Sequence, residues 1–383
     1  MKIRSRMLLA AATLFGTVGV AAAPQAHALG TPGDASAVVF ITAGGAPGLT
    51  NGYKYNSSGG GFAVAQIDST HYSITFQSLG GGSYVNAQLT MWNGASGPAV
   101  DPVCTIDSAT DNGTDVTVKF QCTPFPSASL ANTALFIDVT NRPHPDRAGA
   151  AGPGFVALTT ASPSAASETP ANQYRSSGLG SATVTRTAVG QYTVTIPNGA
   201  YPWNQGVAFA TALTVSPRVD TAYTRYCNPQ GWYPSGTNMI VSVRCYMGAG
   251  SLADARFSLR LAARNHHGGA QPGGAQWVSA PNSAGYDAAG YGWNSAGGTN
   301  HVRSLAAWEG VGVSHVQFNG ATYAAGRVPS VLVSAYGGNQ RCSLEYHGSH
   351  PVDLYTTATV RCYAPFGGAG SATGMYTVSL AQF

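Results

Sequence analysis

The chain has 383 residues, of which only 9% are charged, while 44% are hydrophobic and 49 are glycine. So few charges exclude a disordered polyelectrolyte and a coiled coil, because both depend on charged residues. With 22 prolines beside the glycines, the composition is typical of a β protein with many turns. The formal net charge of +4 is too small to indicate a nucleic-acid partner.

The first 28 residues have the pattern of a secretory signal peptide. A basic start precedes the apolar run 7–23, and Ala26-His27-Ala28 supplies the small residues of a cleavage site. The run is shorter than a membrane-spanning helix and is followed by Pro24. We therefore expect cleavage after Ala28, secretion into the extracellular medium and no membrane insertion. Loss of the basic start leaves the mature chain nearly neutral, which also argues against nucleic acid.

Two independent landmarks recur at nearly constant intervals along the rest of the chain. One is a cysteine pair, found as Cys104 with Cys122, Cys227 with Cys245 and Cys342 with Cys362. The other is an aromatic residue followed by serine and glycine, found at Tyr55–Gly59, Tyr174–Gly178 and Trp293–Gly297. A unit of about 118 residues therefore occurs three times. We place the units at 29–145, 150–266 and 270–383, separated by segments rich in proline, glycine and histidine.

Hydrophobic and polar residues alternate within each unit, which is the period of a β-strand. Each unit closes with such a strand, for example Tyr376-Val378-Leu380 in the third. Because no segment after the signal keeps a helical period, we predict an all-β fold of three tandem antiparallel β-sandwich domains. The alternation changes phase between Val313 and Val316, which predicts a β-bulge or an insertion there.

Each cysteine pair brackets turn-forming residues, such as Asn112-Gly113 in the first unit. Val116, Val118 and Phe120 lie on the same strand face as Cys122, so a disulfide should join the two facing strands of one hairpin on the core side. Cysteines of secreted proteins are usually oxidised. We therefore predict one disulfide within a hairpin of each unit, with the connectivity Cys104–Cys122, Cys227–Cys245 and Cys342–Cys362.

The motifs Gly190-x-Tyr192-x-Val194 and Val-x-Cys, together with the repeated disulfide, resemble tandem modules of uncharacterised secreted proteins of high-GC bacteria. In size and strand rhythm the units also resemble immunoglobulin-type sandwiches. There the disulfide joins two sheets across a much longer stretch of sequence, so the strand order is expected to differ. The resemblance implies an extracellular β-sandwich fold and no particular activity.

Sequence motifs for familiar catalytic chemistry are absent. There is no Gly-x-Ser-x-Gly nucleophile elbow, no His-Glu-x-x-His zinc motif and no phosphate-binding loop. We therefore predict no catalytic residue and no cofactor. The best metal candidate is His347, His350 and Asp353 at the third hairpin tip, since two imidazoles and a carboxylate suit zinc or copper. A solvated polar turn explains the same residues.

A second candidate metal site lies around the first hairpin turn, where Asp107, Asp111 and Asp115 are close together in the sequence. Their carboxylates are suitable calcium ligands, but the spacing matches no known calcium-binding motif. Asp and Asn are also the residues that turns favour. A plain turn is therefore the simpler interpretation.

Aromatic residues in turn-forming segments of the second unit are the strongest binding candidates. These residues are Tyr201, Trp203, Trp232 and Tyr233. Flat rings exposed on loops stack on the apolar face of a sugar or on an extended peptide. The alternative is that the rings fold back over the hydrophobic core. The counterpart in the first unit, Ser108-Ala109-Thr110, carries no ring.

Together these features predict a secreted, non-catalytic binding or cell-surface structural protein whose partner is an extracellular polysaccharide or protein. Three copies of one module favour binding, because repetition raises avidity. The alternatives are a hydrolase that acts on an extracellular polymer and a secreted protease inhibitor.

Overall fold

The computed structural model consists of β-strands and turns. It describes residues 35–43, 48–82, 84–92, 103–123, 133–142, 155–175, 178–200, 206–213, 225–248, 250–263, 276–280, 292–294, 301–304, 312–320, 329–350, 354–365 and 375–382. These ranges contain no α-helix, and the all-β fold class predicted from the sequence is confirmed. The predicted signal peptide and most of the two linker segments lie outside the described residues.

The described strands are numbered here in chain order. The first eight are β1 (Ala35–Ala43), β2 (Gly48–Asn56), β3 (Phe62–Gln66), β4 (His71–Phe76), β5 (Asn86–Trp92), β6 (Val103–Asp111), β7 (Val116–Thr123) and β8 (Thr133–Arg142). The next nine are β9 (Phe155–Thr159), β10 (Ser167–Glu168), β11 (Asn172–Arg175), β12 (Thr183–Ala188), β13 (Gln191–Ile196), β14 (Gly206–Leu213), β15 (Arg225–Ser235), β16 (Asn238–Met247) and β17 (Arg256–Ala263). The others are β18 (Gln276–Ala280), β19 (Gly292–Asn294), β20 (His301–Ser304), β21 (Val313–Asn319), β22 (Pro329–Tyr336), β23 (Arg341–His350), β24 (Tyr355–Tyr363) and β25 (Met375–Gln382).

The strands form four sheets. Sheet I has eight strands in the order β2-β1-β8-β5-β23-β24-β21-β20, and sheet II has eight in the order β11-β9-β17-β14-β6-β7-β4-β3. Sheet III has five in the order β10-β12-β13-β16-β15, and sheet IV has four in the order β19-β18-β25-β22. Each eight-stranded sheet joins two antiparallel halves through one parallel bridge, at Leu344 with Trp92 and at Leu213 with Ile106.

Each disulfide joins the two strands of one hairpin. Cys104 pairs with Cys122 in the β6–β7 hairpin, Cys227 with Cys245 in β15–β16, and Cys342 with Cys362 in β23–β24. The predicted connectivity is confirmed. In the first two hairpins the turn is made by a glycine with positive φ, Gly113 at 92° and Gly236 at 59°, a conformation that glycine adopts without strain.

All three disulfide hairpins carry a β-bulge at the third residue after the first cysteine. The bulged residues are Asp107, Gln230 and Glu345, where the register shifts between the flanking residues. The bulge predicted between Val313 and Val316 is wrong, because β21 pairs with β24 without a shift from Val313 to Asn319. Val313 lies on the opposite strand face from Val316 and is buried there as well, so the phase change needs no extra residue.

The hydrophobic core consists of three clusters, each drawn from two sheets. One joins Val39 and Ile137 of sheet I to Phe120 of sheet II. A second joins Leu158 of sheet II to Val241 of sheet III. The third joins sheet IV to both halves of sheet I and includes Val38, Phe40 and Phe136. Because consecutive residues Val38 and Val39 belong to different clusters, strand β1 is buried on both faces.

A buried polar network links distant segments of the chain. The Arg260 guanidinium, which is fully buried, pairs with Asp138 at 2.6 Å and also bonds Asn86 and Thr140. The second carboxylate oxygen of Asp138 accepts a bond from Ser330 at 2.9 Å. Arg260 lies in sheet II, Asp138 and Asn86 in sheet I and Ser330 in sheet IV. A buried ion pair requires such complete partnering to offset its desolvation.

Three disulfides indicate an oxidising environment, as outside the cell. No helix among the described residues has the length and hydrophobicity that crossing a bilayer requires.

Candidate functional site

A groove of about 340 Å³ runs across the outer face of sheet III. Most of its lining residues are polar and come from β12, β13, β15 and β16: Thr187, Gln191, Thr193, Gln230, Tyr233, Ser242 and Arg244. Gly231 and the buried Tyr192 and Val243 complete the lining. Arg244 is the only charged side chain among these described lining residues. The groove therefore offers hydroxyls, amides, one guanidinium and one exposed aromatic ring, that of Tyr233.

Strand alternation explains why polar residues line this face. In β13 and β16, Tyr192, Val194, Val241 and Val243 point into the hydrophobic cluster, so the intervening residues face outward. The register then sets the outward residues side by side, with Thr193 opposite Ser242 and Gln191 opposite Arg244. Gly231 of β15 continues the first row, and its lack of a side chain leaves the centre of the groove open.

The bulge at Gln230 places Tyr233 in the groove. Cys227 points into the core, and without the bulge strict alternation would turn Tyr233 inward as well. With the bulge, Tyr233 pairs with Ile240 on the outer face, and its side chain is 51% exposed. The ring is thus presented to solvent at the edge of the groove.

The same bulge turns Trp232 the other way, and the exposure expected for this residue is wrong. Trp232 pairs with Val241 and is only 7% exposed, within the hydrophobic cluster that includes the second disulfide. Its ring lies 5.5 Å from that of Tyr336, centroid to centroid. Trp232 is therefore a core residue and does not line the groove. Tyr201 and Trp203 lie outside the described residues and stay predictions.

Two polar side chains of the groove, Gln230 and Arg244, already have hydrogen-bond partners within the protein. The Gln230 amide donates to the carbonyl of Gly338 at 3.2 Å. Burial raises the pKa of the Tyr246 phenol, while hydrogen bonds from the side chains of Arg244 and Gln230 oppose that rise. These contacts restrict both side chains, so they reach a ligand with part of their conformational entropy already lost.

A polar clamp fixes the turn at one end of the groove. Asp254 accepts two bonds from Arg186 at 2.9 Å each and one from the Gly190 amide at 2.8 Å. The Arg186 bonds lower the pKa of Asp254. Gly190 has a φ of 65°, and a Cβ there would lie 2.6 Å from the Cys245 carbonyl oxygen. Only glycine therefore fits between this turn and the disulfide strand.

The predicted metal site is not assembled within the described residues. His347 points toward the rings of Phe136 and Trp92, at 5.4 Å and 6.4 Å, and burial lowers its pKa to about 4. The side chain of His350 and all of Asp353 lie outside the described residues. Among those described, no three His, Cys, Asp or Glu side chains are grouped to hold a metal ion, and the site stays a prediction.

Two of the three acidic residues of the first hairpin, Asp111 and Asp115, accept hydrogen bonds from backbone amides. Asp111 accepts bonds from the amides of Gly81, Gly82 and Gly113 and from the side chain of Asn141. Burial acts to raise its pKa, but these hydrogen bonds outweigh burial and lower it. Asp115 accepts a bond from the Ser78 amide. Both carboxylates thus hold neighbouring loops to the turn, as the simpler interpretation expects.

Comparison with known proteins yields no relative that would assign a function to the groove. No family model, no curated protein and no solved structure matches the chain.

Sequence reasoning named one residue of the groove, Tyr233, and missed the polar residues around it. The alternation of β13 and β16 marks Gln191, Thr193, Ser242 and Arg244 as outward-facing, so that pattern was available. The alternation does not reveal the strand register, and it is the register that sets these four side chains next to Tyr233.

Proposed function

We propose that the chain is a secreted, non-catalytic protein that binds an extracellular glycan through the groove on sheet III. The observation that carries this proposal is the exposed Tyr233 ring beside a row of hydroxyl and amide side chains. A sugar presents an apolar face that stacks on such a ring and hydroxyls that bond such groups. A polysaccharide is the partner that uses both features.

The charge of the lining favours a neutral or weakly acidic glycan. Arg244 is the single cation among the lining residues that the structure describes, and its fork of donors suits neighbouring sugar hydroxyls as well as a carboxylate. A strongly anionic polymer such as nucleic acid would require more basic residues. The strand-built floor is rigid, which limits the ordering cost of binding.

We also propose that the sheets form three β-sandwich domains, matching the units predicted from the sequence. Supporting this, the order β2-β1-β8-β5 has counterparts in β11-β9-β17-β14 and in β19-β18-β25-β22. Likewise β3-β4-β7-β6 corresponds to β12-β13-β16-β15 and to β20-β21-β24-β23. The resemblance to tandem secreted modules agrees with this arrangement.

The test is retention of the mature protein, residues 29–383, on insoluble chitin, cellulose and bacterial cell wall. We expect at least one of them to retain it. The Tyr233→Ala variant should bind about tenfold more weakly, because a central aromatic contact contributes at least ~1.4 kcal/mol. Tyr233→Phe keeps the ring and should bind nearly as well.

Ile67→Ala is the matched control, since Ile67 is exposed to a similar extent, 55%, and does not line the groove. Its binding should equal that of the unmodified protein. If no polysaccharide retains the protein, or if Tyr233→Ala binds like the control, the proposal is wrong. Release of soluble sugar from the polymer would instead support a hydrolase, and retention on a protease column would support an inhibitor.

A further inference from the structure

A second exposed tyrosine lies on the outer face of the third disulfide hairpin. Tyr346 is 51% exposed, as is Tyr233, and it comes directly after the bulge at Glu345, whereas Tyr233 is the third residue after the bulge at Gln230. Sequence reasoning did not single it out, because Tyr346 lies within an extended strand without turn residues at its own position.

The two tyrosine rings cover corresponding positions of their sheets. Tyr233 pairs with Ile240, the fifth residue before Cys245, and Gly348 pairs with Thr357, the fifth residue before Cys362. A Cβ on Gly348 would lie 2.2 Å from the Tyr346 hydroxyl oxygen and 2.7 Å from the ring carbon that bears it. The Tyr346 ring therefore lies along the strand over Gly348, at the position that Tyr233 itself occupies in sheet III.

Polar residues surround this ring as they surround Tyr233. The register sets Tyr346 opposite Thr359 and Thr359 opposite His315, with Thr357 opposite Gln317 in the next row. The hydroxyl of Thr359 lies 3.3 Å from His315 Nδ1, and the Gln317 amide donates to Asn319 at 2.8 Å. Thr359 is only 5% exposed, so the side chains that this face offers beside the ring are those of Thr357, Gln317 and His315.

The charge of this face is neutralised internally. Arg361, which corresponds to Arg244 as the residue before the second cysteine, forms two hydrogen bonds with the carboxylate of Glu345. A cation so occupied does not select an anionic ligand. The face suits an uncharged sugar chain.

We propose that the outer face around Tyr346 is a second glycan-binding site, so that one chain binds the same neutral polysaccharide at two places. This inference rests on the function proposed for the groove of sheet III. The first hairpin provides a natural contrast, because its corresponding residues are Ser108 and Thr110, opposite Lys119 and Thr117, and carry no ring. Two sites on one chain raise the affinity for a long polymer well above that of either site.

The test is calorimetric titration of the full mature protein with soluble chitohexaose and cellohexaose. We expect two equivalents of one of these sugars per chain, one equivalent for Tyr233→Ala, one for Tyr346→Ala and none for the double variant. Affinity for the insoluble polymer should fall about tenfold or more in either single variant, because two-point attachment is lost.

Controls separate loss of the ring from loss of the fold. Tyr346→Phe keeps the ring and should keep two equivalents, and Ser108→Ala on the first hairpin should leave binding unchanged. The second site is overturned, and the first retained, if the unmodified protein binds one sugar per chain, Tyr233→Ala abolishes that binding and Tyr346→Ala leaves it unchanged. If neither sugar binds the unmodified protein or the insoluble polymers, both proposals fail together.

Discussion

At the scale of single residues, a one-residue bulge decides which of two neighbouring aromatic side chains faces solvent and which packs into the core. Trp232 and Tyr233 have the same sequence context, flanked by Gly231 and Pro234, so composition does not distinguish them. The bulge at Gln230 shifts the alternation by one, which buries Trp232 at 7% exposure and leaves Tyr233 at 51%. Assigning either ring from the sequence would require knowing where the bulge lies.

Truncation of Trp232 should therefore affect stability far more than truncation of Tyr233. We expect Trp232→Ala to lower the free energy of unfolding by about 3–5 kcal/mol, because it leaves a cavity in the cluster around the second disulfide. Tyr233→Ala should change it by less than about 0.5 kcal/mol, as a surface substitution does. Denaturant unfolding of both variants checks this. Equal stability of the two variants would place Trp232 outside the core.

At the scale of elements, sequence patterns predicted the strands well and their neighbours poorly. The alternation through Tyr192, Val194 and Ile196 gave β13, and the cysteine spacing with its turn residues gave all three disulfide hairpins. Alternation is a local property, whereas the parallel bridge between Leu213 and Ile106 joins residues far apart in the chain. No local pattern encodes such a contact, nor the bulges that aim Tyr233 and Tyr346.

The clamp at Asp254 should make the stability of sheet III depend on pH. The pKa of Asp254 is lowered from its usual 3.8, so its bonds to Arg186 and Gly190 stabilise the fold above that pH and are lost as the pH falls through the lowered value. We expect Asp254→Asn to cost about 1–2 kcal/mol at neutral pH, an amount limited by partial exposure.

The difference between Asp254→Asn and the unmodified protein should shrink below about pH 4, where protonation removes the charge that the substitution also removes. Unfolding curves at neutral pH and at successively lower pH measure this difference. A difference of constant size over that range would mean that the Asp254 charge does not stabilise the fold.

At the scale of the whole molecule, the buried polar network around Arg260 connects segments that were assigned to different units from the sequence. Arg260 belongs to the unit at 150–266, whereas Asp138 belongs to 29–145 and Ser330 to 270–383. The hydrophobic cluster around Val241 is drawn almost wholly from 150–266, with Tyr336 packed against it from outside that unit. We therefore expect the isolated segment 150–266 to unfold cooperatively, while the intact chain gains stability from contacts between the units.

Arg260→Met distinguishes these two contributions. In the full chain it leaves the buried Asp138 carboxylate without its cation and should cost about 3–5 kcal/mol. In the isolated segment, which lacks Asp138, Arg260 faces solvent, and the same change should be nearly neutral. Both expectations are checked by thermal and denaturant unfolding of the full chain and of the isolated segment, each with and without Arg260→Met. An equal effect in both settings would show that Arg260 acts within its own unit alone.

The most direct test of glycan binding by the sheet III groove is chemical protection of Tyr233. Tyrosines of the mature protein are nitrated with and without the polysaccharide that retains it, and the modified peptides are quantified by mass spectrometry. Tyr72, which is 1% exposed and does not line the groove, should stay unmodified in both samples and thus reports that the fold is intact. We expect nitration of Tyr233 in the free protein and strong protection in the bound protein. If the polysaccharide retains the protein but Tyr233 is nitrated as fully in the bound protein as in the free protein, glycan binding at this groove is contradicted.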